Sequence, residues 1–195
     1  KLNSSLGFDD SDDYVDLASH VSNIVGINQG SITGWFKAET SATANVIFNL
    51  NDADTNNDTL AIGTGSINST YDDESFWDFI KRGGIGQLSM YVRKGHDYYN
   101  DGAWHHFAII AGGGDNSIYI DGIKQVVTFE NGGPTTQEFT NINNADIMRV
   151  GSRYHNSTHL GFFDGQIDEV KIFNYPLSVQ QVLSEYNSGA IRFGP

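Results

Sequence analysis

Short apolar runs, separated by glycine, asparagine, aspartate and serine, recur along the whole chain and are typical of β-strands joined by turns. The sequence contains 22 glycines, so turns can be frequent. This pattern predicts an all-β fold in which two antiparallel sheets pack face to face as a β-sandwich. The predicted strands are Gly7–Leu17, Ser31–Ala38, Asn45–Leu50, Thr59–Gly65, Ser75–Arg82, Gln87–Lys94, Trp104–Ala111, Ser117–Ile120, Lys124–Phe129, Asp146–Ser152 and Gln166–Phe173.

One short C-terminal helix is predicted after Pro176. Ser178 can cap it, and Gln181 stands at the capping-box position. Apolar residues then recur at helical spacing, which predicts one face packed on the edge of the sandwich; they are Val179, Val182, Leu183 and Tyr186.

Length and charge restrict the possible partners. The 195 residues contain no repeat or low-complexity linker, so residues 1–195 are predicted to form a single domain. A net charge of −13 disfavours nucleic acids and anionic membranes, and no apolar run reaches the roughly 18 residues that insertion into a membrane needs. Neutral glycans and cations remain as partners. The absence of cysteine excludes disulfides, thiolate metal sites and cysteine nucleophiles.

The chain opens at Lys1 without methionine and stops at Pro195. We therefore expect a module that is covalently attached to other domains of a longer protein. The acidic excess also suits an extracellular setting, at a cell surface or in secreted form, where salt screens the repulsion between like charges.

Several segments resemble laminin-G-like, concanavalin A-like jelly-roll domains in order and spacing. They are the central strands Asp101–Ile110 and Asn116–Gly122, the opening strand Gly7–Val15, the second strand Ser31–Phe36 and the closing strand Gly165–Asn174. The resemblance covers nearly the whole chain and implies a jelly-roll sandwich. One departure is Asp10, where the family usually has glycine.

Acidic residues near both ends of the chain predict a metal site. Four of them, Asp9, Asp10, Asp12 and Asp13, lie in the opening segment, and Asp168 lies on an inward face of the closing strand. Calcium accepts carboxylate and carbonyl oxygens, and the resemblance implies a structural calcium ion between the first and last strands. The alternative is a solvated acidic turn, with Asp168 bonded to backbone amides.

Two other motifs are weaker metal candidates. The loop Asp52–Asp58 alternates oxygen side chains like a calcium loop, but it lacks the required glycine and glutamate, so a solvated turn is favoured. His155 and His159 are separated by a loop of asparagine, serine and threonine, which disfavours zinc.

A candidate glycan surface follows from the strand Gln87–Lys94, because Tyr91 and Arg93 alternate onto a face that we expect to be accessible. Aromatic rings stack on sugars, and polar side chains bind their hydroxyls. The predicted ligand-binding residues are Trp77, Tyr91, Arg93, His96, Tyr98, Tyr99, Tyr154 and His155.

Catalysis is not predicted. Related glucanases need two carboxylates on one strand, and no Glu-x-Asp-x-Glu pattern occurs. The sequence therefore predicts a non-catalytic, lectin-like module that binds a polysaccharide or cell-surface glycan and holds a calcium ion. An adhesion or spacer module without sugar binding is the first alternative. A polysaccharide lyase or glycoside hydrolase is the second: Tyr91 would serve a lyase, but Asp168 stands where alginate lyases carry a histidine.

Overall fold

The structure is a computed structural model that describes residues 4–39, 45–54, 59–65, 74–82, 85–93, 99–130, 142, 144–155 and 158–187. These residues form two large antiparallel sheets, a small two-stranded sheet and one α-helix. The predicted all-β sandwich of jelly-roll type, with a short C-terminal helix, is confirmed.

The first sheet has six strands. In spatial order they are β1 (Leu6–Asp9), β15 (Asp164–Phe173), β3 (Gly30–Ala38), β8 (His105–Ala111), β9 (Ser117–Ile120) and β10 (Ile123–Lys124). The first and last strands therefore pair at one edge of this sheet.

The second sheet has seven strands. In spatial order they are β11 (Thr128–Glu130), β7 (Ile85–Arg93), β6 (Glu74–Arg82), β5 (Thr59–Thr64), β4 (Asn45–Asn51), β12 (Ile147–Val150) and β2 (Val15–Asp16). A separate hairpin of β13 (Arg153–His155) and β14 (Thr158–Leu160) forms the small sheet.

The core between the two large sheets is centred on three phenylalanine rings. Phe36 and Phe107 come from adjacent strands of the six-stranded sheet, and Phe76 comes from the facing sheet. Their ring centroids lie 5.6–6.2 Å apart, and all three side chains are fully buried. Truncating such a residue to alanine costs about 3–5 kcal/mol of stability, so these contacts hold the sheets together.

Alternation on β8 sends its two histidines to opposite faces. His105 contacts the Phe36 ring at 5.7 Å on the side of the core, whereas His106 contacts Trp35 at 5.2 Å on the outer face. The helix α1 (Val179–Tyr186) covers that outer face, where the Tyr186 ring stacks on Trp35 at 5.6 Å.

The predicted capping box at the start of α1 is confirmed, because Ser178 accepts from the Gln181 backbone and Gln181 accepts from the Ser178 backbone. Val182 is buried against the sheet, but Val179 and Leu183 are exposed, so the apolar face of α1 is narrower than predicted. In the described part of the chain, no helix has the length and apolar character that crossing a membrane requires.

The opening segment differs from the prediction, since Gly7–Leu17 is two strands in different sheets rather than one strand. The turn between β1 and β2 contains Asp10 with a φ of 60°, and its N–H donates to the Phe163 carbonyl at 3.1 Å. A left-handed backbone favours glycine but is also adopted by aspartate, so Asp10 can form this turn. The predicted strand Lys124–Phe129 divides in the same way, between β10 and β11.

Candidate functional site

The accessible face predicted for β7 is covered. Tyr91 is 4% exposed and Trp77 is 2% exposed, and both pack with Val46 and Ala61 on the face of the seven-stranded sheet that points away from the core. The Trp77 indole lies against Gly63, where a Cβ atom would approach the ring to 2.5 Å, and its Nε1 donates to the Gly65 carbonyl at 2.8 Å. Small residues on the neighbouring strand therefore bury rings that were expected to meet a sugar.

The other predicted ligand-binding residues do not join Tyr91 in one described cluster. Tyr99 is buried in the core, where its ring meets His105 edge-on at 5.2 Å. His96 and Tyr98 lie outside the described residues, as do the side chains of Arg93 and His155. Tyr154 is half-buried and belongs to a different group of residues.

That group is centred on Arg149, which lies between the core residues Met148 and Val150 on β12 and therefore points away from the core. Its guanidinium carbon lies 4.3 Å from the centroid of the Tyr14 ring and 4.7 Å from that of Tyr154. Both distances fit cation–π contact. We call Arg149, Tyr14, Tyr154, His159 and Phe162 the Arg149 cluster.

His159 completes the polar part of the cluster. Arg149 Nη1 donates to His159 Nδ1 at 3.1 Å, and because a guanidinium only donates, the neutral imidazole carries its proton on Nε2. Burial and then the charge of Arg149 lower the pKa of His159. The ring stacks on Phe162 at 5.8 Å and meets Tyr154 edge-on at 5.1 Å. His159 is therefore held as a neutral N–H donor among aromatic surfaces.

Buried asparagines of β4 position the segment that carries these rings. Asn49 Oδ1 accepts the Tyr154 backbone N–H at 3.1 Å, and Asn45 Oδ1 accepts that of Asp164 at 3.1 Å. Val46 N–H donates to the Gly161 carbonyl at 3.0 Å. The hairpin β13–β14 is thus fixed over the outer face of the seven-stranded sheet by side chains and backbone of a central strand.

Arg149 is 6% exposed, yet no described carboxylate forms an ion pair with it. Asp16 lies opposite Arg149 in the ladder, but its Oδ1 accepts the Ala18 N–H at 2.8 Å instead. Arg149 Nε is buried and has no hydrogen-bond partner in the described part of the chain. Sequence reasoning missed this residue, although a lone arginine inside an apolar strand was a visible signal.

The predicted metal ligands divide into two places. Carboxylate oxygens of Asp9, Asp12 and Asp13 lie within 4.8 Å of one another in the exposed turn after β1. Asp10 is not part of this group, because its left-handed backbone belongs to the turn that leads away from β1. The donor chemistry of the three carboxylates fits a hard cation such as calcium.

Asp168 is not near the acidic turn, which corrects the expected grouping. Asp9 pairs with Asp164, and Asp168 lies four residues further along β15, about 13 Å away at the usual strand rise. Its Oδ1 accepts the Glu169 N–H at 2.9 Å at a bulge of β15. Asp168 pairs with Trp35, whose ring lies on the outer face of the sheet, so the bulge separates Asp168 from the inward face on which it was expected. Bonding to a backbone amide was the alternative left open for Asp168.

The weaker metal motifs lie partly outside the described residues. In the loop Asp52–Asp58, residues 55–58 are not described, and Asp52 Oδ1 accepts the Asp54 N–H at 2.9 Å as in an ordinary turn. His155 ends β13 and His159 lies in β14, and residues 156 and 157 of the predicted loop between them are not described.

A polar pocket of about 240 Å³ lies beside β8. His105 Nδ1 is 2.8 Å from Asp121 Oδ2, and its Nε2 is 3.2 Å from Asp101 Oδ1. Burial opposes the charged form of His105, but hydrogen bonds and charges of Asp121 and Asp101 outweigh burial and raise its pKa. Both carboxylates also accept backbone N–H groups, so this arrangement ties loops to β8.

Comparison with solved structures shows domains of the same fold in carbohydrate-active proteins. The CBM40 module of a Ruminococcus gnavus sialidase, solved with α2,3-sialyllactose, is 10% identical, with a TM-score of 0.74 over 95% of this chain and 97% of that chain. A Streptococcus pneumoniae sialidase is 18% identical, with a TM-score of 0.72 over 93% of this chain, which spans 27% of that protein.

Domain 4 of an extracellular arabinanase from Geobacillus stearothermophilus, solved with arabinotriose, is 20% identical, with a TM-score of 0.58 over 92% of this chain and 70% of that chain. No curated protein matches the chain in sequence. A laminin G family model, described as the concanavalin A-like lectin/glucanases superfamily, matches residues 9–183. The match spans most of the chain and agrees with the observed sandwich, and the chain therefore belongs to the concanavalin A-like lectin/glucanases superfamily.

Proposed function

We propose that this chain is a non-catalytic carbohydrate-binding module that holds a glycan at the Arg149 cluster. The observation that supports the proposal most is the arrangement of rings around a guanidinium. Tyr14 is 39% exposed, and Tyr154, His159 and Phe162 are half-buried beside it. Aromatic faces can stack on the apolar side of a sugar, while Arg149 and the His159 N–H offer donors for its oxygens.

The structural comparisons support the same class of function. Two similar domains were solved with different saccharides, sialyllactose and arabinotriose, so this fold accommodates sugar recognition in more than one protein. The similar region of the pneumococcal sialidase is part of a longer chain. By analogy, we propose that this module acts outside the cell and directs an attached protein to a polysaccharide or cell-surface glycan.

A glycan array, followed by titration calorimetry with the sugars that bind, tests this proposal. Tyr14→Ala should weaken binding by about tenfold, because a stacking ring and one cation–π partner of Arg149 are lost. Tyr175→Ala is the matched control, since Tyr175 is 42% exposed and lies beyond β15, next to Phe173. Unchanged melting temperatures would show that both variants fold.

The proposal fails if no glycan or polysaccharide binds, or if Tyr14→Ala and Tyr175→Ala behave alike. Absence of any sugar binding would favour the adhesion or spacer alternative. Release of unsaturated sugar products would instead favour a lyase. Tyr91→Ala is not a useful binding variant, because the buried position of Tyr91 means that its truncation would reduce stability.

We also propose that the acidic turn binds a structural calcium ion through Asp9, Asp12 and Asp13. The grouping of their oxygens within 4.8 Å supports this proposal. A thermal melt should show a rise in melting temperature with added calcium that EGTA reverses, because an ion that binds only the folded state stabilises it by mass action. Asp12→Asn should reduce that rise, and Asp115→Asn, at an exposed aspartate that pairs with Lys124, should not. Equal responses in both variants would refute the site.

A further inference from the structure

Arg149 has an unusual electrostatic environment in so acidic a chain. The lysines whose side chains are described all pair with carboxylates: Lys124 with Asp115 at 2.6 Å, Lys171 with Glu185 at 2.6 Å, and Lys37 with Glu39 at 3.9 Å. These lysines are on the surface, where water already stabilises their charges. Arg149 is far more buried and has no such carboxylate among the described residues.

A buried charge without a counter-ion reduces stability unless other groups compensate it. The Tyr14 and Tyr154 rings offset part of this penalty through cation–π contact, at 4.3 and 4.7 Å. The only described hydrogen bond of the guanidinium is with a neutral imidazole, and Nε has none. Among the described residues, aromatic rings and a neutral imidazole are therefore the only groups that compensate the charge of Arg149.

We infer that the glycan held at the Arg149 cluster carries a carboxylate, and that this carboxylate binds the guanidinium of Arg149. The inference rests on the proposed function and specifies its ligand class, an acidic sugar such as a sialic or uronic acid. A planar guanidinium can bind a carboxylate through parallel N–H donors, which a neutral hydroxyl cannot match. The exposed Tyr14 ring then contacts the apolar side of the same sugar.

The charge of the whole chain limits how many carboxylates the glycan can carry. With a net charge of −13, the protein repels a polymer that has a carboxylate on every residue. One cationic centre, flanked by aromatic rings, suits a single acidic sugar within an otherwise neutral glycan. We therefore expect selection of an isolated acidic residue over a polyuronate.

His159 supplies a second readout of carboxylate binding. Part of the decrease in its pKa comes from the charge of Arg149, 3.1 Å away. A bound carboxylate neutralises that charge, so the pKa of His159 should rise on binding, and the site should take up protons near that pKa. This response distinguishes contact at Arg149 from binding elsewhere on the surface.

The experiment compares 3′-sialyllactose, lactose and polygalacturonate by titration calorimetry, with NMR titration of the histidines in the native protein. We expect sialyllactose to bind at least about tenfold more tightly than lactose and polygalacturonate, with a rise in the pKa of His159. Arg149→Gln should remove the preference for sialyllactose over lactose. Lys124→Gln, at an exposed lysine, is the control for loss of one positive charge and should keep that preference.

Each other outcome contradicts a specific step. Equal affinity for lactose, or a preference that survives Arg149→Gln, would refute the carboxylate site while leaving glycan binding intact. Tighter binding of polygalacturonate would refute the selection of an isolated acidic sugar. Absence of binding to all three sugars and to the whole glycan array would refute the proposed function itself. If Arg149→Gln does not fold, an unchanged pKa of His159 in the native protein on addition of sialyllactose refutes the inference.

Discussion

Acidification should destabilise this protein through His106. The His106 ring lies under α1 beside the stacked rings of Trp35, at 5.2 Å, and Tyr186, at 5.9 Å, and is almost fully buried. Burial disfavours the imidazolium and lowers its pKa from 6.5 to about 4, against the opposing charge of Glu185. His106 therefore stays neutral in the folded state at a pH where it is protonated in the unfolded chain.

The sign and the size of the effect follow from proton linkage. Between 6.5 and about 4 the unfolded state binds the proton that the folded state refuses, so the free energy of unfolding falls as pH falls. At about 1.4 kcal/mol for each pH unit, the full contribution is about 3 kcal/mol. Lowering the pH from about 8 to about 5 should already remove about 2 kcal/mol through this group.

Urea unfolding of the native protein and of His106→Leu at both pH values isolates the contribution. The native protein should lose about 2 kcal/mol more than His106→Leu over this interval. His20→Gln, at an exposed histidine, controls for the loss of a histidine elsewhere. Equal losses in the native protein and His106→Leu, or a pKa near 6.5 for His106 by NMR, would show that burial does not hold this ring neutral.

Three further predictions concern stability. In urea unfolding, His105→Gln should lower the free energy of unfolding more at about pH 5.5 than at about pH 9. The raised pKa of His105 adds stability that is complete below pH 6.5 and is lost as pH rises through the folded-state pKa. A loss that is the same at both pH values would contradict this. Gly63→Ala should cost about 1–3 kcal/mol in thermal melts, because the added Cβ would clash with the Asn45 backbone carbonyl. A Cβ added at Gly7 would have no neighbour within 4 Å, so equal losses in Gly63→Ala and Gly7→Ala would refute the steric argument. In urea unfolding, Ser178→Ala should lower the free energy of unfolding by about 1 kcal/mol, because the helix loses its N-terminal cap. Ser184→Ala, inside the same helix, should lower it less, and equal losses would exclude the capping role.

Local patterns were sufficient to predict an all-β sandwich with one short C-terminal helix. Alternation on β8 correctly separated His105 from His106, and the spacing of Ser178 and Gln181 correctly located the start of α1. These features depend on residues that are close in sequence. The turn at Asp10 was not predicted, because Gly7–Leu17 was expected to form one strand.

The candidate site could not be predicted in the same way. Alternation showed that Tyr91 points away from the core, but it could not show that Trp77 and Ala61 cover the ring on that face. Arg149 and Tyr14 come from segments far apart in sequence, and their contact depends on the strand order of the seven-stranded sheet. Contacts of this kind follow from topology rather than from spacing along the chain.

The attachment of the β13–β14 hairpin has a consequence for how such modules diversify. The hairpin hydrogen-bonds within itself and is anchored to β4 by the Asn49 amide, rather than by joining the ladder of either large sheet. Substitutions at an exposed hairpin position such as Thr158 therefore change the surface of the hairpin without breaking the ladders of the sandwich. Under the proposed function, ligand preference can change at such positions while the buried framework, which sets stability, stays constant.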